Sequence, residues 1–278
     1  MSESIVTEQH GAVGIIRINR PERFNSLDVE TARAFRKAGI QMARDHTVRA
    51  VILTGAGRVF CSGADLKYIR DHGRVPDFEY LRPEGGIVPK AGFGECFKEI
   101  LEYIHSTISE IKRAPKPFIA AVNGVAGAGG LGIAMACDLV FASQAATFEW
   151  AYHKTGLTGA ESSTFFLPKL VGLRKALELM LLNPRLGADE ATGLGLVTRV
   201  FPEAEFAAEV MAVAQRLAAG PTSAYGVTKA LMHRAANCDQ LDFHLDQELE
   251  ALTRAADSAE FAEGIAAFFE RRSAEFIG

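Results

Sequence analysis

The residues of this chain that could do chemistry fall into two groups. The first is a pair of glycine-rich segments. One is Leu53-Thr54-Gly55-Ala56-Gly57-Arg58-Val59-Phe60-Cys61-Ser62-Gly63-Ala64-Asp65-Leu66-Lys67. The other is Lys116-Pro117-Phe118-Ile119-Ala120-Ala121-Val122-Asn123-Gly124, running on to Gly129-Gly130-Leu131-Gly132 and Cys137-Asp138. Each reads as a strand that ends in small residues before a helix. Small residues let a ligand approach the backbone, and a helix start presents free N–H groups with positive partial charge. Two such ends converging on one carbonyl oxygen would stabilise an enolate or a tetrahedral oxyanion, at roughly 3–4 kcal/mol per donor. Taken singly, either segment is accounted for by tight strand–helix packing; together, in this order and separation, they point to a bound oxygen. The second group could move protons. Glu161 sits among small residues at a helix start, where burial would raise its pKa toward acid/base duty; its alternative role is to complement a helix dipole. His105 lies between Ile104 and Ile108 on a helix and could act as a base near neutral pH, or be a buried, hydrogen-bonded core histidine. Tyr152 and His153 could shape or polarise a pocket, or simply pack and face solvent.

These residues need elements to position them. Residues 14–19 (GIIRIN) are β-branched and short, as a strand should be. Residues 21–27 form a turn, and Asp28 is placed as the N-cap of a helix running to about Asp45. Residues 50–54 and 117–122 read as buried strands, 138–142 and 147–150 as short ones. Residues 95–112 carry Phe97, Ile100, Leu101, Ile104, Ile108 and Ile111 at helical spacing. Residues 68–93, with Pro76, Pro83 and Pro89, read as an irregular loop. After Gly159 the pattern turns helical, with 241–256 and 259–276 strongly so. The expected fold is α/β, with a core over residues 1–202 and a helical C-terminal region over 203–278.

Composition narrows the function. The chain has 278 residues, 48% hydrophobic and 23% charged, with net charge −4. That suits a globular protein with a sizeable core and gives no dense basic field for nucleic acid or a membrane surface. The four cysteines show no CxxC spacing and read as reduced, in a cytoplasmic protein. The N-terminal residues resemble neither a signal nor a transit peptide. Residues 118–137 have the length and lack of charge of a membrane span, but Asn123 and the glycines that interrupt them argue for a strand, a turn and a helix start instead.

The paired segments resemble those of the crotonase (enoyl-CoA hydratase/isomerase) superfamily. So do Arg20-Pro21-Glu22-Arg23-Phe24-Asn25-Ser26-Leu27, Leu167-Pro168-Lys169-Leu170-Val171-Gly172, Gly195-Leu196-Val197 and the tail FAEGIAAFFERRSAEF. The resemblance implies a spiral of ββα units with a helical trimerisation region, as a homotrimer or dimer of trimers. It implies an acyl-CoA thioester substrate, with coenzyme A as part of that substrate and no prosthetic group or metal. Carried over, Ala64 and Gly129 supply the oxyanion-hole N–H groups. Arg23, Phe24, Ser26, Ala64, Asp65, Leu66 and Lys67 hold coenzyme A, with Arg23 and Lys67 as phosphate partners, and Arg271 reaches a neighbour's coenzyme A.

The chain departs from the hydratases at their two catalytic glutamates, which match Gly132 and the Ala151-Tyr152 pair. A glycine moves no proton, and a tyrosine with a pKa near 10 is a poor base at neutral pH. Locally the sequence is most similar to 4-chlorobenzoyl-CoA dehalogenases, through Ala151-Tyr152-His153-Lys154-Thr155-Gly156 and Glu178-Leu179-Met180-Leu181. There His105 falls on the catalytic histidine, Tyr152 on a substrate-facing tryptophan and Ala160 on the nucleophilic aspartate. Glu161 is offset from that position by one residue, about 100° on a helix. The implied activity is acyl-CoA chemistry through a stabilised enolate or oxyanion, on a cyclic or aryl acyl group. An isomerase or atypical hydratase using Glu161 and an inactive CoA-binding scaffold are the alternatives. An RNA-binding role is disfavoured, because Lys98, Lys112 and Arg113 are interleaved with Glu99, Glu102 and Glu110.

Overall fold

A computed structural model describes residues 3–72, 93–237 and 240–276. The N-terminal strands β1 (Ile5–His10) and β2 (Val13–Ile18) form an antiparallel hairpin. From β2 the sheet continues in parallel through β3 (Ala50–Gly55), β5 (Phe118–Val122), β7 (Leu139–Ser143) and β10 (Arg199–Phe201). Every residue of β3 and β5 is buried, as expected for parallel strands covered on both faces.

A smaller sheet holds β4 (Val59–Cys61), β6 (Val125–Gly127) and β8 (Thr147–Glu149) in parallel, edged by the antiparallel β9 (Leu186–Gly187). The chain steps from β3 to β4, from β5 to β6 and from β7 to β8, so each pair places one strand in each sheet. Helices then return it to the start of the next turn: α2 (Leu66–His72) and α3 (Phe93–Arg113) after β4, α4 (Gly129–Ala136) after β6. The result is the expected spiral of ββα units.

Strand alternation divides the large sheet's two faces. Ile16, Ile18, Val51, Leu53 and Phe118 face α1 (Val29–Arg44) and α3; Val13, Ile15, Ala50, Ile52 and Ile119 face α8 (Phe206–Ala218). Asp28 caps α1 by accepting the Thr31 N–H at 2.8 Å. The boundary expected after residue 202 is followed at once by α8, which packs on the sheet. The next helices, α9 (Thr222–Ala235), α10 (Leu241–Ala256) and α11 (Ala259–Glu270), project apolar residues outward, and α10 has no buried residue.

Three expectations change. Residues 66–72 are helical, where the sequence suggested a loop from 68. The Asp65 carboxylate accepts the Tyr68 N–H at 3.0 Å and starts that turn, and no proline intervenes before 76. Phe93 likewise begins α3, and residues 73–92 of the expected loop lie outside the described residues. The region after Gly159 is not wholly helical, because β9 and β10 return to the sheets. Residues 118–137, by contrast, fold as expected, as β5, β6 and α4, and among the described residues no helix is long and apolar enough to cross a membrane.

Candidate active site

The two glycine-rich turns meet. Gly63 follows β4 with φ +91°, and a Cβ placed on it would lie 3.0 Å from the Gly129 nitrogen. A Cβ on Gly130 would lie 2.0 Å from the Cys61 carbonyl oxygen. The glycines therefore let the end of β4 rest directly on the first turn of α4. That contact brings the turn that carries Ala64 against the turn that carries Gly129. Neighbouring N–H groups are committed: Asp65 to the Leu27 carbonyl at 2.9 Å, Ala128 to the Glu149 carbonyl at 3.0 Å, Leu131 to the Ala128 carbonyl at 3.1 Å. The Ala64 and Gly129 N–H groups donate to nothing among the described residues.

Glu161 lies over the same turn. It is 2% exposed, and its Oε1 would be 2.7 Å from a Cβ on Gly129. A Cβ on Gly132 would lie 2.4 Å from the Glu161 carbonyl oxygen and 2.9 Å from its Cβ. The missing side chains at Gly129 and Gly132 are what make room for this carboxyl. Its direction differs from that expected by counting along a helix, because residue 161 is not helical. Glu161 and Ser162 are both left-handed (φ +46° and +58°), and α5 (Ser163–Val171) begins only afterwards. The carboxyl thus turns inward and bonds no N–H of α5, so it does not serve as a helix cap. Burial pushes its pKa up to about 7, against the lowering effect of a hydrogen bond from Tyr152.

That bond runs from the Tyr152 hydroxyl to Glu161 Oε2. Burial, and the carboxylate beside it, push the Tyr152 phenol far above its ordinary value, so it stays protonated and acts as a donor. Several side chains hold the tyrosine. Ala151 is left-handed (φ +56°), and its N–H donates to Asn183 Oδ1 at 2.7 Å. The Asn183 amide donates to Glu149 at 3.2 Å, and Glu149 also pairs with Arg185 at 3.3 Å and with Lys154. Trp150 packs against the Tyr152 ring at 5.1 Å between centroids. Glu149 is therefore turned to this supporting cluster. Asn183 and Arg185 had no signal in the sequence, because they act on Ala151 and Glu149 from a distant part of the chain.

The enoyl-CoA hydratase/isomerase family model matches residues 8–82 and 95–278. The chain belongs to the crotonase family. A 4-chlorobenzoyl coenzyme A dehalogenase of Arthrobacter sp is 34% identical over 264 residues, covering 95% of this chain and 90% of that protein. The 1,2-epoxyphenylacetyl-CoA isomerase of Escherichia coli is 33% identical over 278 residues, covering 100% of both. Among solved structures, an enoyl-CoA hydratase from Bacillus anthracis superposes with a TM-score of 0.86 at 27% identity, over 99% of each chain.

The other residues singled out in this crotonase lie as follows. Residues 23–26 and 64–67 are brought side by side: the Leu27 N–H donates to the Gly63 carbonyl at 2.8 Å and the Ser62 N–H to the Phe24 carbonyl at 3.2 Å. Asn25 fixes this rim from within, accepting the Arg20 N–H at 2.8 Å and donating to the Ala56 carbonyl at 2.9 Å. Phe24 is exposed and Ser26 buried; Leu66 and Lys67 are exposed on the first turn of α2. Arg23 is not a free cation, since its Nε donates to Asp65 at 3.2 Å, and Arg20 reaches the same carboxylate at 3.1 Å. Arg271 is exposed at the C-terminal end of α11. His105 is exposed on α3, its pKa lowered by partial burial of the ring, and no hydrogen bond or ion pair joins it to Glu161 or Tyr152. Of the two proton-transfer candidates, the structure joins Glu161 to Tyr152 and leaves His105 apart from that pair.

Asp65 therefore organises the rim. Burial pushes its carboxyl up, but the Tyr68 N–H and the Arg23 and Arg20 guanidinium groups outweigh this and hold it below the usual carboxylate range. Replacing Asp65 by Asn would leave the Arg23 guanidinium without a counter-charge, while Arg20 keeps Asp28 at 2.8 Å, and cost about 2 kcal/mol of stability. Urea unfolding of Asp65→Asn checks this. The depressed pKa means that this contribution is complete above the ordinary carboxylate range and is lost as pH falls through the native value. The variant's deficit should accordingly shrink in acid.

Proposed function

We propose that this chain is an acyl-CoA isomerase in which Glu161 is the single acid/base and the Ala64 and Gly129 N–H groups hold the thioester oxygen. The observation that carries this reading is one buried carboxyl, with a pKa near neutrality, lying over two uncommitted N–H groups. In a 3-enoyl-CoA, the carboxylate would take a proton from C2 as the electron pair moves onto the thioester oxygen. The two N–H groups would stabilise that charge by roughly 3–4 kcal/mol each. The same carboxyl would then return the proton at C4, the double bond moving to C2–C3 and the base being regenerated. One group suffices for this, whereas two-glutamate hydration needs a second carboxylate. The titratable groups coupled to Glu161 are Tyr152 and Cys61, and burial pushes the Cys61 thiol up to about 12. Both stay protonated at neutral pH, so neither replaces the second glutamate.

The acyl group is cyclic or aryl in this proposal. Support comes from the buried Trp150–Tyr152 pair beside Glu161 and from the two relatives whose names specify chlorobenzoyl and epoxyphenylacetyl thioesters. Coenzyme A would lie along the rim of residues 23–26 and 64–67, with the exposed Lys67 at a phosphate. A screen of 2-enoyl-, 3-enoyl- and aryl-CoA thioesters, with Glu161→Gln as control, tests the reading. Turnover of a 3-enoyl or cyclic enoyl thioester that vanishes in the variant supports it. Turnover that survives would remove Glu161 from the mechanism, and failure to turn over any thioester would favour a binding scaffold.

The reading includes a cytoplasmic homotrimer or dimer of trimers, with Arg271 at a neighbour's coenzyme A. Leu245, Leu249 and Leu252 of α10 are 48%, 63% and 71% exposed, and Phe268 of α11 is 77% exposed. An apolar face of that kind calls for a second copy. Sedimentation should show an oligomer, and Leu252→Glu should shift it toward the monomer. A monomeric wild type at micromolar concentration would sink this part of the proposal.

A further inference from the structure

The two oxygens of Glu161 are not equivalent. The Tyr152 hydroxyl donates to Oε2. Oε1 is the oxygen nearer Gly129: a Cβ there would lie 2.7 Å from Oε1 and 3.2 Å from Oε2. The tyrosine has little freedom to release its acceptor. Trp150 packs on its ring and Asn183 fixes the preceding peptide. The phenol's hydrogen bond is the one it donates to Glu161.

We propose that Tyr152 is a positioning residue that holds Oε2 and so leaves Oε1, above Gly129, as the one oxygen that takes and returns the substrate proton. This rests on Glu161 being the acid/base. A carboxyl pinned at one oxygen cannot swing between substrate and solvent. The proton received from C2 then stays on Oε1, in a residue that is 2% exposed, until it is delivered to C4 on the same face. Tyr152 also favours the charged form of the base, since a hydrogen bond to a carboxylate lowers its pKa.

The groups facing Glu161 make this readable. Tyr152 approaches from its short helical turn and Cys61 from β4, while the first turn of α4 presents glycines. Cys61 and Tyr152 both titrate well above neutrality, so the acid limb of the rate profile would report Glu161, near pH 7 in the wild type.

Tyr152→Phe keeps the ring and removes the hydroxyl. Losing a hydrogen bond to the charged form raises the carboxyl pKa, so the acid limb of kcat/KM on a 3-enoyl-CoA should move up by about one to two pH units. In D2O, the share of product carrying solvent deuterium at C4 should rise above the wild-type share. A variant with Tyr152 replaced by a fluorotyrosine, whose phenol is a stronger donor of nearly the same shape, should move the limb down. It keeps the test decisive if Tyr152→Phe folds poorly. An unmoved limb and wild-type deuterium incorporation, in either variant, overturn the proposal. If Glu161→Gln is inactive while the limb is unmoved, only the role of Tyr152 falls. If Glu161→Gln retains full turnover, the isomerase reading falls with it.

Discussion

Glu161→Gln should lower kcat by at least about a thousandfold, within the range expected for losing a general acid/base, while making the protein less sensitive to rising pH. Both effects have one origin. The carboxyl is buried where its charge is poorly solvated, and its native pKa is about 7 against an ordinary 4.5. Below pH 4.5, folded and unfolded chains both carry the proton and the site costs nothing electrostatically. As pH rises, the unfolded chain ionises first, so native stability falls until the folded carboxyl ionises too. That difference corresponds to about 3 kcal/mol lost by the wild type and not by the glutamine variant. Urea unfolding of both proteins at about pH 5 and about pH 8 isolates the effect, because every other titrating group is common to the two. A constant offset from the glutamine amide would appear at both pH values and cancels in the comparison. A stability difference that does not grow with pH would mean that Glu161 is solvated in the native state. It would then have no reason to be a base near neutrality.

Gly132→Ala should be nearly as damaging, although it adds one methyl group and removes no functional atom. The new Cβ would meet the Glu161 carbonyl oxygen at 2.4 Å, and this neighbour is backbone that cannot rotate away. Stability should fall by about 1–3 kcal/mol from overpacking. The larger consequence is displacement of the 161–162 turn. A shift of about 1 Å in a catalytic group can cost on the order of a hundredfold in rate. Gly193→Ala is the control: nothing lies within 4 Å of a Cβ there, so its effect should stay within about 1 kcal/mol. Thermal melts and turnover of the two variants separate crowding at the site from a general effect of replacing glycine. The same geometry predicts that Gly132→Glu does not create a two-glutamate hydratase. The clash is with the backbone of residue 161, so combining it with Glu161→Ala does not relieve it. Hydration of a 2-enoyl-CoA by either of these variants would show that the turn can move aside.

Much of this was legible in the sequence. Asp28 before an amphipathic run identifies α1 and its cap, and Phe97, Ile100, Ile104, Ile108 and Ile111 identify α3, because both signals are local and periodic. The fully apolar runs of β3 and β5 identify strands buried on both faces. The paired glycine segments identify the family. Other elements left no such trace. In β1, Thr7, Glu8 and Gln9 dilute the apolar pattern, and β9 and β10 are too short for periodicity to register. They form because a neighbouring strand offers unpaired backbone groups, which is a tertiary fact.

The proposed acid/base shows the division most plainly. By its resemblance to the hydratases, the sequence alone raised the expectation that Gly132 and Tyr152 stand where their glutamates do, and it marked Glu161 and His105 as candidates to move a proton. It could not decide between them or say where Glu161 points, since counting along a helix turns it away from the expected position. Only the tertiary structure decided that residues 161 and 162 are left-handed, that Gly129 and Gly132 leave the space the carboxyl enters, and that Tyr152 meets it there. The physical reason is that the direction of a side chain in an irregular turn is set by what fills the volume around it. Here that volume is bounded by α4 and by a tyrosine held through Trp150, Ala151 and Asn183, none of which the residues around Glu161 specify.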